Sequence, residues 1–154
     1  MAGLKLPINE GKTRCLRCPE EPFEFLGYRI GRNYRPHGKG TYIGTRPGKA
    51  SVQSICRKIS EMTARKHGWR SAEDTVARLN RAMLGWANYY SLGSTNRAYQ
   101  AVSRHAITRL RRWLCQKHKV RSGKLVRFPA NRLFDKYGLA RLDRRTLGLP
   151  NAKA

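Results

Sequence analysis

Cys15 and Cys18 form a Cys-x-x-Cys pair, which can supply half of a zinc site. A closed site needs a second pair, or a Cys/His partner at short spacing. None follows: the nearest histidine is His37, and Cys56 and Cys115 fall at apolar positions of helical patterns. The pair reads as two ordinary thiols near a turn at Pro19, Cys56 and Cys115 read as core residues, and no metal site is expected. Paired acids fare no better. The chain has nine acidic residues, and none stands in a D-x-D or D-D pattern that could hold two metal ions. Glu73-Asp74 sits where a helix begins, which suits the macrodipole. Glu20-Glu21 flanks prolines and reads as solvated surface. The histidines are scattered at 37, 67, 105 and 118. His105 lies on a basic helix, as a nucleic-acid contact or a packed surface imidazole rather than a general base. Gly38-Lys39-Gly40-Thr41 resembles a phosphate loop but lacks the strand–loop–helix context. No catalytic residue and no cofactor is assigned.

Binding chemistry is better supported. The chain carries 33 Lys/Arg against 9 acids, a formal charge of +24. From Asn96 to Ala154 there are sixteen Lys/Arg and two acids, so this stretch alone supplies +14. Self-repulsion of that size favours a polyanionic partner. An anionic membrane surface would select one basic amphipathic helix with a broad apolar face. Here the cations are interleaved with aromatics and turn signals over several elements, which favours nucleic acid. The densest run is Arg111-Arg112 beside Trp113, then Lys117, Lys119, Arg121 and Lys124, with Arg104 and Arg109 on the same helix. Tyr89 is the stacking candidate for an unpaired base, while Trp86 and Tyr90 share an apolar stripe and belong to the core.

These groups need a scaffold. Hydrophobic content of 40% with 27% charged residues fits a folded domain with a basic surface rather than a disordered tail. No apolar run approaches the roughly 20 residues that span a bilayer, and Met1–Leu6 has no apolar segment of signal-peptide length. A cytoplasmic or nucleoid-associated location is expected. Residues 1–48 read as strand and turn. Phe23–Ile30 is one strand-like run and Thr41–Ile43 another, pairing as a hairpin across a Gly-rich loop. Pro47-Gly48 marks the lobe boundary. Residues 49–154 read as helical. Val52, Ile55, Cys56, Ile59 and Met62 share one helical face, with Ser51 as N-cap. Ser71 with Asp74 opens a second helix, whose stripe is Val76, Leu79, Met83, Trp86 and Tyr90. Asn96–Gln116 makes a third, with Tyr99, Val102, Ala106, Leu110, Trp113 and Leu114 on one side. His118–Phe128 reads as a basic loop, Asn131–Tyr137 as a helical turn ended by Gly138, and Leu139 and Leu142 as docking residues. The expected fold is α+β: a small N-terminal β-hairpin lobe, a three-helix bundle, and a basic C-terminal extension.

Read together, these residues resemble the C-terminal part of bacterial group II intron-encoded reverse transcriptases, also called maturases. Leu26-Gly27-Tyr28 after Phe23-Glu24-Phe25 carries the likeness, as does Leu84-Gly85-Trp86-Ala87-Asn88-Tyr89-Tyr90. The basic helix through Arg112-Trp113, the segment Asn9 with Lys12-Thr13, and Gly138-Leu139 with Arg141-Leu142 extend it over most of the chain. The resemblance implies the end of a polymerase palm, with a primer-grip turn at Leu26, Gly27 and Tyr28, followed by a helical thumb or maturase-specific domain. In that family the paired catalytic aspartates of a Y-x-D-D motif stand upstream of the segment matching Asn9–Thr13, so no polymerase activity is expected of this chain alone. The implied partners are structured intron RNA, an RNA–DNA template–primer duplex, and a separate palm chain. A truncated reverse transcriptase that is inert without such a palm is the nearest alternative. A structural RNA-binding protein of a ribonucleoprotein is another.

Overall fold

The computed structural model describes residues 20–34 and 40–142. Asn9, Lys12, Thr13, Cys15, Cys18, Gly38 and Lys39 lie outside the described residues, as does everything past Leu142.

The run from Phe23 to Ile30 is two strands, not one. β1 (Phe23–Phe25) reverses at Leu26-Gly27 into β2 (Tyr28–Tyr34), which pairs in turn with β3 (Thr41–Pro47). The result is a three-stranded antiparallel sheet in the order β1-β2-β3. Phe25 opposes Tyr28, so the loop holds two residues. Leu26 and Gly27 both take positive φ, 49° and 78°, the type I′ form that matches strand twist. Only glycine fits the second position, because a Cβ on Gly27 would meet the Tyr90 hydroxyl.

β2 and β3 pair from Tyr28↔Pro47 to Tyr34↔Thr41. Alternation places Phe25, Tyr28, Ile30, Ile43 and Pro47 on one face. The Tyr28 end of that face meets the helices. The far end of that face leaves Ile43 at 57% and Tyr34 at 77% exposed, and Phe25, on the edge strand beside Tyr28, is 59% exposed.

α1 (Lys49–Met62) starts earlier than its apolar pattern, with Gly48 as N-cap. Ser51 does not cap through its side chain as expected; its hydroxyl donates to the Gly48 carbonyl at 2.8 Å. α1 buries Ile55 and Ile59 and ends where the Thr63 hydroxyl donates to the Ile59 carbonyl. A 3-10 turn, Arg65–His67, leads to α2 (Ala72–Tyr89). There the Ser71 hydroxyl accepts from the Asp74 amide at 3.0 Å, satisfying one of the orphan N–H groups at the helix start. α3 (Asn96–Lys117) buries Tyr99, Val102, Ala106, Leu110, Trp113 and Leu114. These recur every three or four residues and form the stripe that closes on α1 and α2.

The basic stretch after α3 is not all loop. It contains α4 (Lys124–Arg127), followed by α5 (Ala130–Asp135). Gly138 ends α5 at φ 71°, donating to the Phe134 carbonyl at 3.1 Å. Leu139 and Leu142 then bury against the core. The Asn80 side chain clamps this segment, donating to the Gly138 carbonyl and accepting from the Ala140 amide, both at 2.8 Å.

Candidate nucleic-acid interface

The cations of α3 and the loop after it divide into two groups. Arg104, Arg112, Lys119, Arg121 and Lys124 are exposed. Arg109, Arg111 and Lys117 are half-buried and hold the fold together. Arg109 donates from a terminal guanidinium nitrogen to the Ser60 carbonyl at 2.9 Å and from Nε to the Thr63 hydroxyl at 3.2 Å. It therefore neutralises an orphan carbonyl in the last turn of α1. Arg111 donates to the Phe128 carbonyl at 2.8 Å, tying α3 to the chain after α4. Lys117 donates to the Gly68 and Arg70 carbonyls at 3.0 and 2.6 Å, and its ammonium lies 5.4 Å from the Trp113 ring centre. Arg112 is thus exposed, whereas Arg109, three residues away on the same helix, bridges α1 and α3.

Tyr89, the stacking candidate, is 55% exposed. Its ring lies near-parallel to Tyr28 at 6.3 Å, and its hydroxyl donates to the Leu26 carbonyl at 3.3 Å. Tyr28 returns the contact by donating to the Tyr89 carbonyl at 2.5 Å. Tyr90 and Trp86 continue the aromatic contacts to buried Tyr99, with centroid spacings between 4.8 and 5.9 Å. The Gly48 amide donates to the Gly27 carbonyl and the Ser94 amide to the Thr45 carbonyl, at 2.7 and 2.9 Å. Together these contacts fix the Leu26-Gly27 turn against the C-terminal end of α2. Leu26 itself stays 66% exposed at the tip.

A feature missed in the sequence lies between α1 and α2. An open groove there is lined by Lys58, Arg70, Arg78 and Arg81, with Trp86 and Tyr90 at one end. Ser51, Ser54, Ala82 and Gly85 keep its walls low. Arg78 is paired with Asp74 at 3.0 Å, and Glu61 is the acid in the lining. The available signal was that Lys58 and Arg81 stand off the apolar stripes of their helices.

His105 is a packed imidazole. Its Nε2 lies 2.9 Å from the Ser60 hydroxyl. Burial lowers its pKa, the Cys56 backbone opposes this, and Arg109 lowers it further. Cys56 is half-buried and Cys115 buried, as expected of core thiols, and burial raises the pKa of Cys56. Among the described residues no three His, Cys, Asp or Glu side chains gather as metal ligands. Among the same residues no helix is long and apolar enough to cross a membrane.

Sheet, helices and surface together define an α+β module with a strongly basic exterior. The family model of the group II intron maturase-specific domain matches residues 52–128. That span is half of the chain and runs from the first turn of α1 to the residue after α4, so this protein belongs to the group II intron maturase-specific domain family. A comparison with curated proteins finds no match.

Proposed function

We propose that this chain is an RNA-binding maturase module that grips structured intron RNA, and RNA–DNA duplex where one is present, to assist splicing. It acts by binding, without a catalytic centre of its own. The observation that carries the reading is the surface of the matched span. It presents Lys58, Arg81, Arg104, Arg112, Lys119 and Lys124 within a family defined by group II introns. Phosphates are the natural counter-charges for such a surface, and each contact releases counterions. Exposed Tyr89 stacks on a base in this reading, and the Leu26-Gly27-Tyr28 turn contacts a duplex end as a primer grip would. Competition separates this reading from that of a general ribonucleoprotein component: group II intron RNA should displace labelled intron RNA at far lower concentration than bulk RNA. Equal displacement would refute it.

One observation favours a second reading. Tyr34 and Ile43 leave the far end of the sheet face apolar and uncovered, and Phe25 is exposed on the edge strand beside Tyr28, as a surface that receives a polymerase palm would be. Template-directed synthesis that appears only when a palm fragment is added would support that reading.

A further inference from the structure

The turn from Lys119 to Arg127 combines two properties. It is pinned at both ends, yet it holds two adjacent aliphatic side chains in solvent. At one end the Val120 amide donates to the Cys115 carbonyl at 2.8 Å. At the other, Phe128 is buried and its carbonyl receives the Arg111 guanidinium at 2.8 Å. Lys119, just before Val120, and Gly123 take positive φ, 53° and 65°, turning the chain sharply into α4. Leu125 and Val126 are then 66% and 86% exposed at the apex. Lys119, Arg121, Lys124 and Arg127 flank them along the chain, all exposed. No acid occurs between Asp74 and Asp135.

We propose that this apex is an RNA wedge: Leu125 and Val126 enter an unstacked base step at a bulge or junction, while the surrounding cations hold the flanking phosphates. The proposal rests on the RNA-binding reading above and adds the part of the RNA that is recognised. Aliphatic wedges work this way where a polynucleotide is kinked, because a non-polar side chain replaces the lost base stacking. The occupant is a polyanion because four exposed cations, with no carboxylate among them, flank the apolar tip along the chain. Helical RNA offers a shallow groove, so a protruding apex finds purchase where bases are already splayed. Pinning matters too, because a mobile tip would lose conformational entropy on insertion.

The test uses the full chain and two RNA hairpins, one with a single bulged nucleotide next to 2-aminopurine and one fully paired. The wild type should raise 2-aminopurine fluorescence on the bulged hairpin and bind it more tightly than the paired one. Leu125→Ser with Val126→Thr should abolish the fluorescence rise and weaken bulged-RNA binding about tenfold, the equivalent of one lost stacking contact. Binding to the paired hairpin, its salt dependence, and the thermal midpoint should stay unchanged, since both side chains are exposed. Val126→Ser alone should give a partial loss with the same pattern. A double variant that keeps the fluorescence rise, or that weakens both hairpins equally, overturns the wedge and leaves the RNA-binding reading standing. A wild type that binds neither hairpin overturns both. Co-sedimentation of the wild type, but not the variant, with phosphatidylglycerol vesicles, combined with no preference for the bulge, would assign the tip to a lipid surface and overturn the proposal.

Discussion

Exchanging Arg109 and Arg112 for glutamine, one at a time, separates a structural cation from a surface one. The two lie on the same helix, three residues apart, and carry the same charge. Arg109 makes two hydrogen bonds to the end of α1, at 2.9 and 3.2 Å. Arg112 has no hydrogen-bond partner among the described residues. Bonds from charged donors contribute about 1.5–3 kcal/mol each. Arg109 is only half-buried, so water refills part of the loss, and Arg109→Gln should cost about 1.5–3 kcal/mol in total. For a chain of this size that lowers the thermal midpoint by about 3–12 °C. Arg112→Gln should move stability by no more than about 0.5 kcal/mol. The RNA readout should run the other way. Arg112→Gln should reduce the slope of log affinity against log salt by about 0.7–0.9 for one lost phosphate contact, and Arg109→Gln should leave it unchanged. Calorimetric melting and fluorescence-anisotropy titration at several salt concentrations read the two quantities. An Arg109→Gln variant that melts like the wild type but loses salt slope would refute the division of cations made from the structure.

Trp113 is 1% exposed, and its indole N–H has no partner among the described residues, so the ring acts through packing. Trp113→Ala should cost about 3–5 kcal/mol in denaturant melts. Leu26 holds a positive φ that disfavours a branched apolar side chain, and it is largely exposed. Leu26→Asn creates the preferred Asn-Gly type I′ turn and should stabilise by about 1 kcal/mol; a lower thermal midpoint would show that Leu26 makes contacts that outweigh the strain. His105 has its pKa lowered in the fold, chiefly by burial. The unfolded chain therefore binds the proton more readily. Stability from this site is complete above the ordinary value near 6.5 and is lost as pH falls through it toward the folded value. The thermal midpoint should drop between pH 7.5 and 5.5 in the wild type and drop less in His105→Gln. Equal drops would assign the effect elsewhere.

The long helices were legible because their signal is local: an apolar residue every three or four positions, and Ser71 with Asp74 at the start of α2. The Leu26-Gly27 reversal was marked only by the family resemblance, because leucine at positive φ contradicts the usual residue preference and the run Phe23–Ile30 looks continuous to pattern reading. The start of α1 was misplaced because glycine gives no side-chain cap, while Ser51 two residues inside the helix looks like one. The basic face was legible as a face but not residue by residue. Arg109, Arg111 and Lys117 bond to backbone carbonyls 17 to 49 residues away, and carbonyls carry no sequence signature. Asn80, which clamps Gly138 and Ala140 across 58 and 60 residues, is invisible to pattern reading for the same reason.

A chain this poor in acids must still satisfy its interior cations, and it does so with carbonyls rather than carboxylates. Among the described residues two ion pairs form, Arg78–Asp74 and Arg141–Asp135. Half-buried Arg109, Arg111 and Lys117 instead donate to main-chain oxygens, as does exposed Arg132. Four of these oxygens belong to residues in the closing turn of a helix or just beyond it, Ser60, Gly68, Arg127 and Phe128, where the helix dipole is negative. The arrangement leaves few surface carboxylates to compete with phosphate for the exposed cations. It also fixes how the fold answers to salt. With two ion pairs to weaken among the described residues and a net charge of +24 to screen, added salt relieves more repulsion than it removes attraction. The thermal midpoint should rise from low to moderate salt, over the same range in which RNA affinity falls. Melting and binding measured in one buffer series give the two opposite signs directly. A midpoint that falls with salt would mean that carboxylate pairs, not carbonyl contacts, hold the cations in place.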